Sequence, residues 1–212
     1  MAIRLGDTAP NFTAETTAGT INFHEYLGDS WGLLLSHPAD FTPVCTTEIG
    51  RTAQLQEQFN ARNVKVLVVS VDPVKEHHSW VNDINEIHNT KVDFPLIADP
   101  QRNVSLLYDM IHPNASATAT VRSVFIIGPD KKVKLTLTYP AAIGRNFAEI
   151  LRAIDALQLS AEHSVSTPAD WEGGKDVIVS TAISTEDALQ KFPKGVQVVK
   201  PYLRYTPMPG KN

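Results

Sequence analysis

Cysteine is almost missing: a single residue, Cys45, stands in a chain of 212. That scarcity excludes an internal disulfide, a paired Cys-x-x-Cys redox motif and a zinc site built on several thiolates. Whatever Cys45 does, it does without a second thiol from its own chain. The histidines do not restore a metal reading. Of the seven, His77 and His78 are adjacent, and no two are spaced four apart as ligand pairs on a helix are. Neither a metal nor an organic cofactor is expected.

Charge of one sign is also scarce. Nineteen Lys and Arg against 23 Asp and Glu leave a formal charge of −4, with no basic block to attract a phosphate backbone, so nucleic acid is not an expected partner. Long apolar runs are missing as well. Polar residues interrupt every stretch before membrane-spanning length, and MAIRLGDTAPNF lacks the apolar centre of a secretory signal, so a cytoplasmic location is expected. The glycosylation patterns at Asn11, Asn103 and Asn114 have no meaning without secretion.

What is present suffices for a sizeable core, since 42% of the residues are hydrophobic. Trp31 to Ser36 and Val64 to Val71 read as buried strands, the second rich in β-branched residues and stopped by Asp72-Pro73. Between them, Thr42 can cap and Pro43 can open a helix running to about Arg62, with Ile49, Ala53 and Phe59 on its apolar stripe. Gly50 inside that helix predicts close packing or a bend. The pattern repeats with a helix from Lys75 to His88 carrying Trp80, Ile84 and Ile87, a short strand at 94–97 and a brief helix near 103–108. A hairpin, 122–127 and 133–137, turns at Gly128-Pro-Asp-Lys131, and an amphipathic helix follows with Phe147, Ile150, Leu151, Ile154 and Leu157.

This order implies an α/β chain with a mixed central sheet, and a thioredoxin-like fold fits it. Past about Glu162 the composition changes, with Pro168, Gly173, Gly174, Pro193, Gly195, Pro201, Pro207 and Pro209 cutting the apolar pieces short. The expected division is therefore a domain over 1–163 and a C-terminal extension over 164–212, too broken to form a core of its own.

The chemistry concentrates in the loop Ser36 to Cys45. If Thr42 caps, Cys45 falls in the first helical turn, where unpaired N–H groups and the positive end of the helix dipole favour an anionic sulfur. A lone cysteine is otherwise most often a small buried hydrophobe. Pro38, Thr42 and Cys45 stand as P-x-x-x-T-x-x-C, and this spacing resembles the signature of the peroxiredoxins. The wider stretch SHPADFTPVCTTE is similar to their one-cysteine, peroxiredoxin-6 branch. The resemblance extends from Gly6-Asp-Thr-Ala-Pro-Asn-Phe12 to Lys200-Pro-Tyr-Leu-Arg-Tyr-Thr-Pro207, nearly the whole chain.

The resemblance implies a thiol-dependent peroxidase acting on hydrogen peroxide and organic or lipid hydroperoxides. Cys45 is its implied nucleophile, oxidised to a sulfenic acid that an external thiol such as glutathione reduces. Arg122, in Thr120-Val-Arg-Ser-Val-Phe125, occupies the motif that completes the site, Thr42 would orient the peroxide, Pro38 would shield the sulfur and His37 would join them. A homodimer is the implied assembly, with the extension as its partner-covering arm. No downstream Val-Cys-Pro element is present, so an intersubunit disulfide between two kinds of cysteine is ruled out. A redox-idle thioredoxin-like binding or chaperone module is the alternative reading.

One further motif needs weighing. Gly28-Asp-Ser-Trp-Gly32 matches the G-x-S-x-G pattern of serine hydrolases, yet Ser30 precedes its strand, whereas a nucleophile elbow follows one. The peroxiredoxin-6 branch is associated with a phospholipase A2 activity, and Ser30, His24 and Asp130 occupy the matching positions, which would imply contact with phospholipid. Ser30 and Cys45 would lie at opposite ends of a six-residue strand, roughly 20 Å apart.

Overall fold

The computed structural model describes residues 3–210. In chain order its elements begin with a hairpin of β1 (Thr13–Thr16) and β2 (Gly19–Asn22), followed by α1 (Phe23–Leu27) and β3 (Trp31–Ser36). Next come α2 (Pro43–Gln54), α3 (Gln56–Ala61), β4 (Val64–Ser70), α4 (Val74–His88), β5 (Leu96–Ala98) and α5 (Asn103–Leu107). The hairpin of β6 (Arg122–Ile127) and β7 (Val133–Tyr139) leads to α6 (Phe147–Glu162). The chain ends with β8 (Val165–Ser166), β9 (Val177–Val179), α7 (Thr185–Lys191), β10 (Gln197–Lys200) and β11 (Leu203–Thr206).

Seven strands form one sheet in the order β2-β1-β5-β4-β3-β6-β7. β3 runs parallel to β4 and β4 parallel to β5, whereas β6 is antiparallel to β3, and β1 to β5, so the sheet is mixed as expected. All six residues of β3 are buried, in agreement with its unbroken apolar run, because a strand covered on both faces has no solvent side to make polar. The element order and the mixed sheet make the expected thioredoxin-like arrangement.

Two local readings change. The helix expected from Thr42 to about Arg62 divides at Leu55, whose ψ of 3° takes the chain off the helical path while its side chain stays 3% exposed. The break lets Phe59 enter the core. On α4 the buried stripe is His77, Trp80 and Ile84; Ile87, expected on it, is 65% exposed. At Gly50 the expectation of close packing is met. The glycine meets the His88 ring of α4 so closely that a Cβ there would lie 2.2 Å from His88 Cδ2.

The chain divides into two compact units, one up to Phe147 and one from Ala148 on. The expected boundary after residue 163 differs from this division because Ala156 and Leu159 of α6 pack with the tail. They border a cluster of Val165, Trp171, Val177, Val179, Ala188 and Phe192. The tail thus has a core after all, anchored by Trp171, whose indole N–H donates to the Lys175 carbonyl at 3.0 Å. A four-stranded antiparallel sheet, β10-β11-β9-β8, belongs to the same unit. Among the described residues no helix is long and apolar enough to cross a membrane.

Candidate active site

The loop between β3 and α2 is fixed at both ends before any chemistry is considered. Ser36 Oγ donates to the Val121 carbonyl at 2.6 Å and accepts the Ser123 amide at 2.9 Å. Thr120 Oγ1 donates to the His37 carbonyl at 2.7 Å, and the His37 amide donates to Val69. These bonds tie the start of the loop to β4 and to the segment that enters β6. At its far end, Phe41 sits at φ +53°, a left-handed turn uncommon for a bulky residue, and Thr42 returns to extended backbone as the N-cap of α2.

Pro43 occupies the first helical position, as its fixed φ and missing N–H favour. Thr42 does not cap with its side chain: Oγ1 donates back to the Ala39 carbonyl at 2.8 Å. The first-turn amides, those of Val44 and Cys45 among them, therefore keep their donors free of that hydroxyl. Cys45 is fully buried, while Pro38 and Thr42 are partly exposed on the same loop.

β6 is the direct neighbour of β3 in the sheet, and it opens with Arg122, which brings the expected cation to the expected sulfur. Arg122 Nη1 lies 3.3 Å from Cys45 Sγ, and its Nε donates to the Ala141 carbonyl at 2.9 Å. The same Nη1 is 2.8 Å from Glu48 Oε2. Glu48 stands three residues beyond Cys45, on the same buried face of α2.

Glu48 and Arg145 escaped the sequence reading as functional residues. Arg145 donates its amide and Nε to Glu48 Oε1 at 2.7 and 2.9 Å, and Nη2 to Oε2 at 2.7 Å. Its Nη1 reaches the carbonyls of Ser36 and Ser123 at 2.9 and 3.0 Å. Glu48 thus accepts four N–H bonds, with no acceptor in the set for a carboxyl proton, so it is a carboxylate. Two buried guanidiniums against one buried carboxylate leave one positive charge over, and Arg122 turns it toward the sulfur. An anionic sulfur balances the pocket, whereas a neutral thiol leaves a buried cation uncompensated.

His37 is wholly buried, its ring 5.1 Å from the Trp80 indole. Burial, seconded by the charges of His77, Arg145 and Arg122, holds it well below the usual imidazole range, so it is neutral.

The three residues of the lipase motif are not assembled into a triad. Ser30 Oγ donates to Asn63 Oδ1 at 2.8 Å. His24 Nε2 bonds the Ala9 carbonyl at 2.8 Å, and Asp130 bonds Lys134 Nζ and the Lys132 amide. The turn carrying Asp130 does approach the Gly28 loop, through a bond from Lys131 Nζ to the Gly28 carbonyl, but none of the three side chains bonds another. Each bonds other partners, because the serine sits where the chain enters β3, held by the loop before β4, and no helix directly follows to raise it as an elbow does.

Comparison with known proteins finds relatives over nearly the whole chain. The AhpC/TSA family matches residues 5–136, and the C-terminal domain of 1-Cys peroxiredoxin matches 156–195. A 1-Cys peroxiredoxin of Dictyostelium discoideum is 52% identical over 99% of this chain and 87% of its own length. Human peroxiredoxin-6 is 51% identical over 97% of each chain. Among solved structures, a cysteine-to-serine mutant of peroxiredoxin 6 from Arenicola marina superposes with a TM-score of 0.93 at 47% identity, covering 99% of this chain and 100% of its own. A yeast mitochondrial 1-Cys peroxiredoxin, studied for thiol resolution by glutathione and thioredoxin systems, gives 0.91 at 50% identity, covering 97% and 99%.

Proposed function

The chain belongs to the AhpC/TSA family, in its one-cysteine peroxiredoxin branch, and is a thiol peroxidase with a single cysteine; from that premise we propose how this site reduces peroxides. The thiolate of Cys45 attacks one oxygen of a hydroperoxide, an S–O bond forms and the O–O bond breaks. The sulfur loses two electrons, and the departing oxygen takes a proton and leaves as water or an alcohol, with Cys45 left as sulfenic acid. Arg122 and the first-turn amides of α2 stabilise the charge that builds on the departing oxygen. Thr42 orients the peroxide for in-line attack, and Pro38 and His37 complete the walls.

With no second thiol in the chain, resolution is external. One small thiol condenses with the sulfenic acid, releasing water and forming a mixed disulfide, and a second displaces Cys45 and restores it. Glutathione fits this role, and the concern of the yeast relative's structure with glutathione and thioredoxin systems supports an external thiol. Hydrogen peroxide and organic or lipid hydroperoxides are the substrates of this reading, the cytoplasm is its location and a homodimer is its assembly.

The observation that carries the proposal is the 3.3 Å contact of Arg122 Nη1 with Cys45 Sγ inside a pocket of net positive charge. Stopped-flow peroxide consumption tests it. Cys45→Ser, nearly isosteric but not ionised at neutral pH, is expected to fold and to consume no peroxide. Turnover at the wild-type rate in that variant would overturn the assignment of Cys45 as the nucleophile.

A further inference from the structure

Beside the reactive loop lies a buried hydrogen-bonded pair that peroxide attack, as described, leaves unused. His77 of α4 is fully buried and Asp40 is 6% exposed. His77 Nδ1 is 2.6 Å from Asp40 Oδ2, and His77 Nε2 is 3.1 Å from the Ile97 carbonyl oxygen. A carbonyl only accepts, so Nε2 carries a hydrogen. Nδ1 and Oδ2 then share a single proton, either as imidazolium and carboxylate or as imidazole and carboxylic acid. In both forms the pair is neutral overall, and in both Asp40 keeps its second oxygen as an acceptor.

That second oxygen, Oδ1, has no hydrogen-bond partner among the described residues and faces His37 Nε2 at 3.5 Å, just outside a formed bond. Neither ring nitrogen of His37 is hydrogen-bonded either. Burying such groups unpaired is costly, so a fully buried imidazole with two idle nitrogens beside a reactive loop calls for an explanation. The ring is not loose: Trp80 lies against it at an interplanar angle of 34°, and the Trp80 indole N–H is tied to Thr46 Oγ1 at 3.2 Å.

We propose that Asp40 and His77 are positioning residues for peroxide reduction. Asp40 Oδ1 fixes His37 as the Nε2–H tautomer, and its Nδ1 is left as the acceptor for the hydroxyl proton of the peroxide or of the sulfenic acid formed from it. His77, locked by the Ile97 carbonyl, holds the carboxyl group of Asp40 in the orientation this needs. The inference rests on the reading of His37 as part of the peroxide site. Burial first, then the charges of His77, Arg145 and Arg122, disfavour protonation of His37 against an opposing effect of the Ala39 backbone, so the ring is neutral and keeps one acceptor nitrogen. Asp40 is pushed up by burial, an effect opposed by its bond to His77 and reinforced by Asp72 and Glu76.

The test joins a tautomer measurement to kinetics. In reduced, 15N-labelled wild-type protein, long-range proton–nitrogen spectra are expected to show His37 protonated on Nε2; protonation on Nδ1 overturns the proposal whatever any variant does. Asp40→Asn can still donate to His77 Nδ1 and present its oxygen to His37, so it is expected to keep the tautomer and most of the peroxide rate constant. Asp40→Ala is expected to lose the single tautomer and to slow attack roughly three- to tenfold, the worth of one hydrogen bond. An unchanged rate in a folded Asp40→Ala, or a loss in Asp40→Asn as large as in Asp40→Ala, overturns the positioning role. His37→Gln separates the two readings. If it leaves the rate unchanged, His37 is not in the site and the inference falls with that reading; if it slows attack while Asp40→Ala does not, only the pair has failed.

Discussion

Glu48 holds two guanidiniums on three hydrogen bonds and the Arg145 amide on a fourth, while the sulfur those cations serve receives one contact from Arg122. The carboxylate is therefore the residue on which the site's geometry depends most. Glu48→Gln would remove the negative charge and turn an amide N–H against the guanidinium donors. The expected outcome is a loss of about 3–5 kcal/mol of stability, the scale for breaking a buried ion pair, with slower peroxide attack in whatever folds. Urea titration and stopped-flow kinetics check both parts, and an unchanged urea midpoint would show the two cations to be solvated. Much of this site could be read from the chain alone, because Pro38, Thr42 and Cys45 are local in sequence and Arg122 lies in a matching motif. Glu48 left a faint signal, a charged residue next to Ile49 on the apolar side of a predicted helix. Arg145 left none, since its place beside Glu48 follows from folding the segment after β7 back onto α2, and no periodicity records that.

At the scale of elements, the contact between α2 and α4 passes through Gly50, which was legible as close packing, though not its partner. Gly50→Ala gains about 1 kcal/mol of helix propensity but drives a methyl group into His88, whose Cδ2 and Cγ lie 2.2 and 2.4 Å from the added Cβ. Overpacking of this kind costs about 1–3 kcal/mol, so a net loss is expected, seen in calorimetry as a melting temperature lower by roughly 2–6 °C. Adding His88→Ala should recover most of it; a Gly50→Ala protein that melts at or above the wild-type temperature would mean that α4 yields freely. The central strands were legible because β3, β4 and β6 are buried along their length and so read as apolar runs. β1 and β2 were not. Their Thr-Ala-Glu-Thr and Gly-Thr-Ile-Asn are four residues each and largely polar, and they pair through a turn closed by Gly19 at φ +92°. α3 was merged into α2 because the break at Leu55 occurs at an ordinary helix former, where only burial decides.

For the whole molecule the governing fact is that one thiol serves 212 residues. Excess peroxide without a reductant is expected to carry Cys45 past sulfenic acid to sulfinic acid, because no thiol of the same chain competes for the intermediate. Intact-protein and peptide mass spectrometry should place two added oxygens on Cys45, with activity lost in proportion. Full recovery by a simple thiol after prolonged exposure would count against that course. The tail shows where composition misleads at this scale. Prolines and glycines broke its pattern, yet Trp171 and Phe192 supply enough buried area to organise short strands around them. The sheet of the first unit has a different consequence. Cys45 follows β3 and Arg122 opens β6, and these strands are paired by a ladder running from Gly32–Ile127 to Leu35–Val124. A ladder admits only whole-residue steps, and a slip of one turns every side chain to the opposite face. The strand that carries the cation is therefore held in whole-residue steps against the strand that leads into the loop of the nucleophile, and a change that unpairs β3 from β6 would part the two.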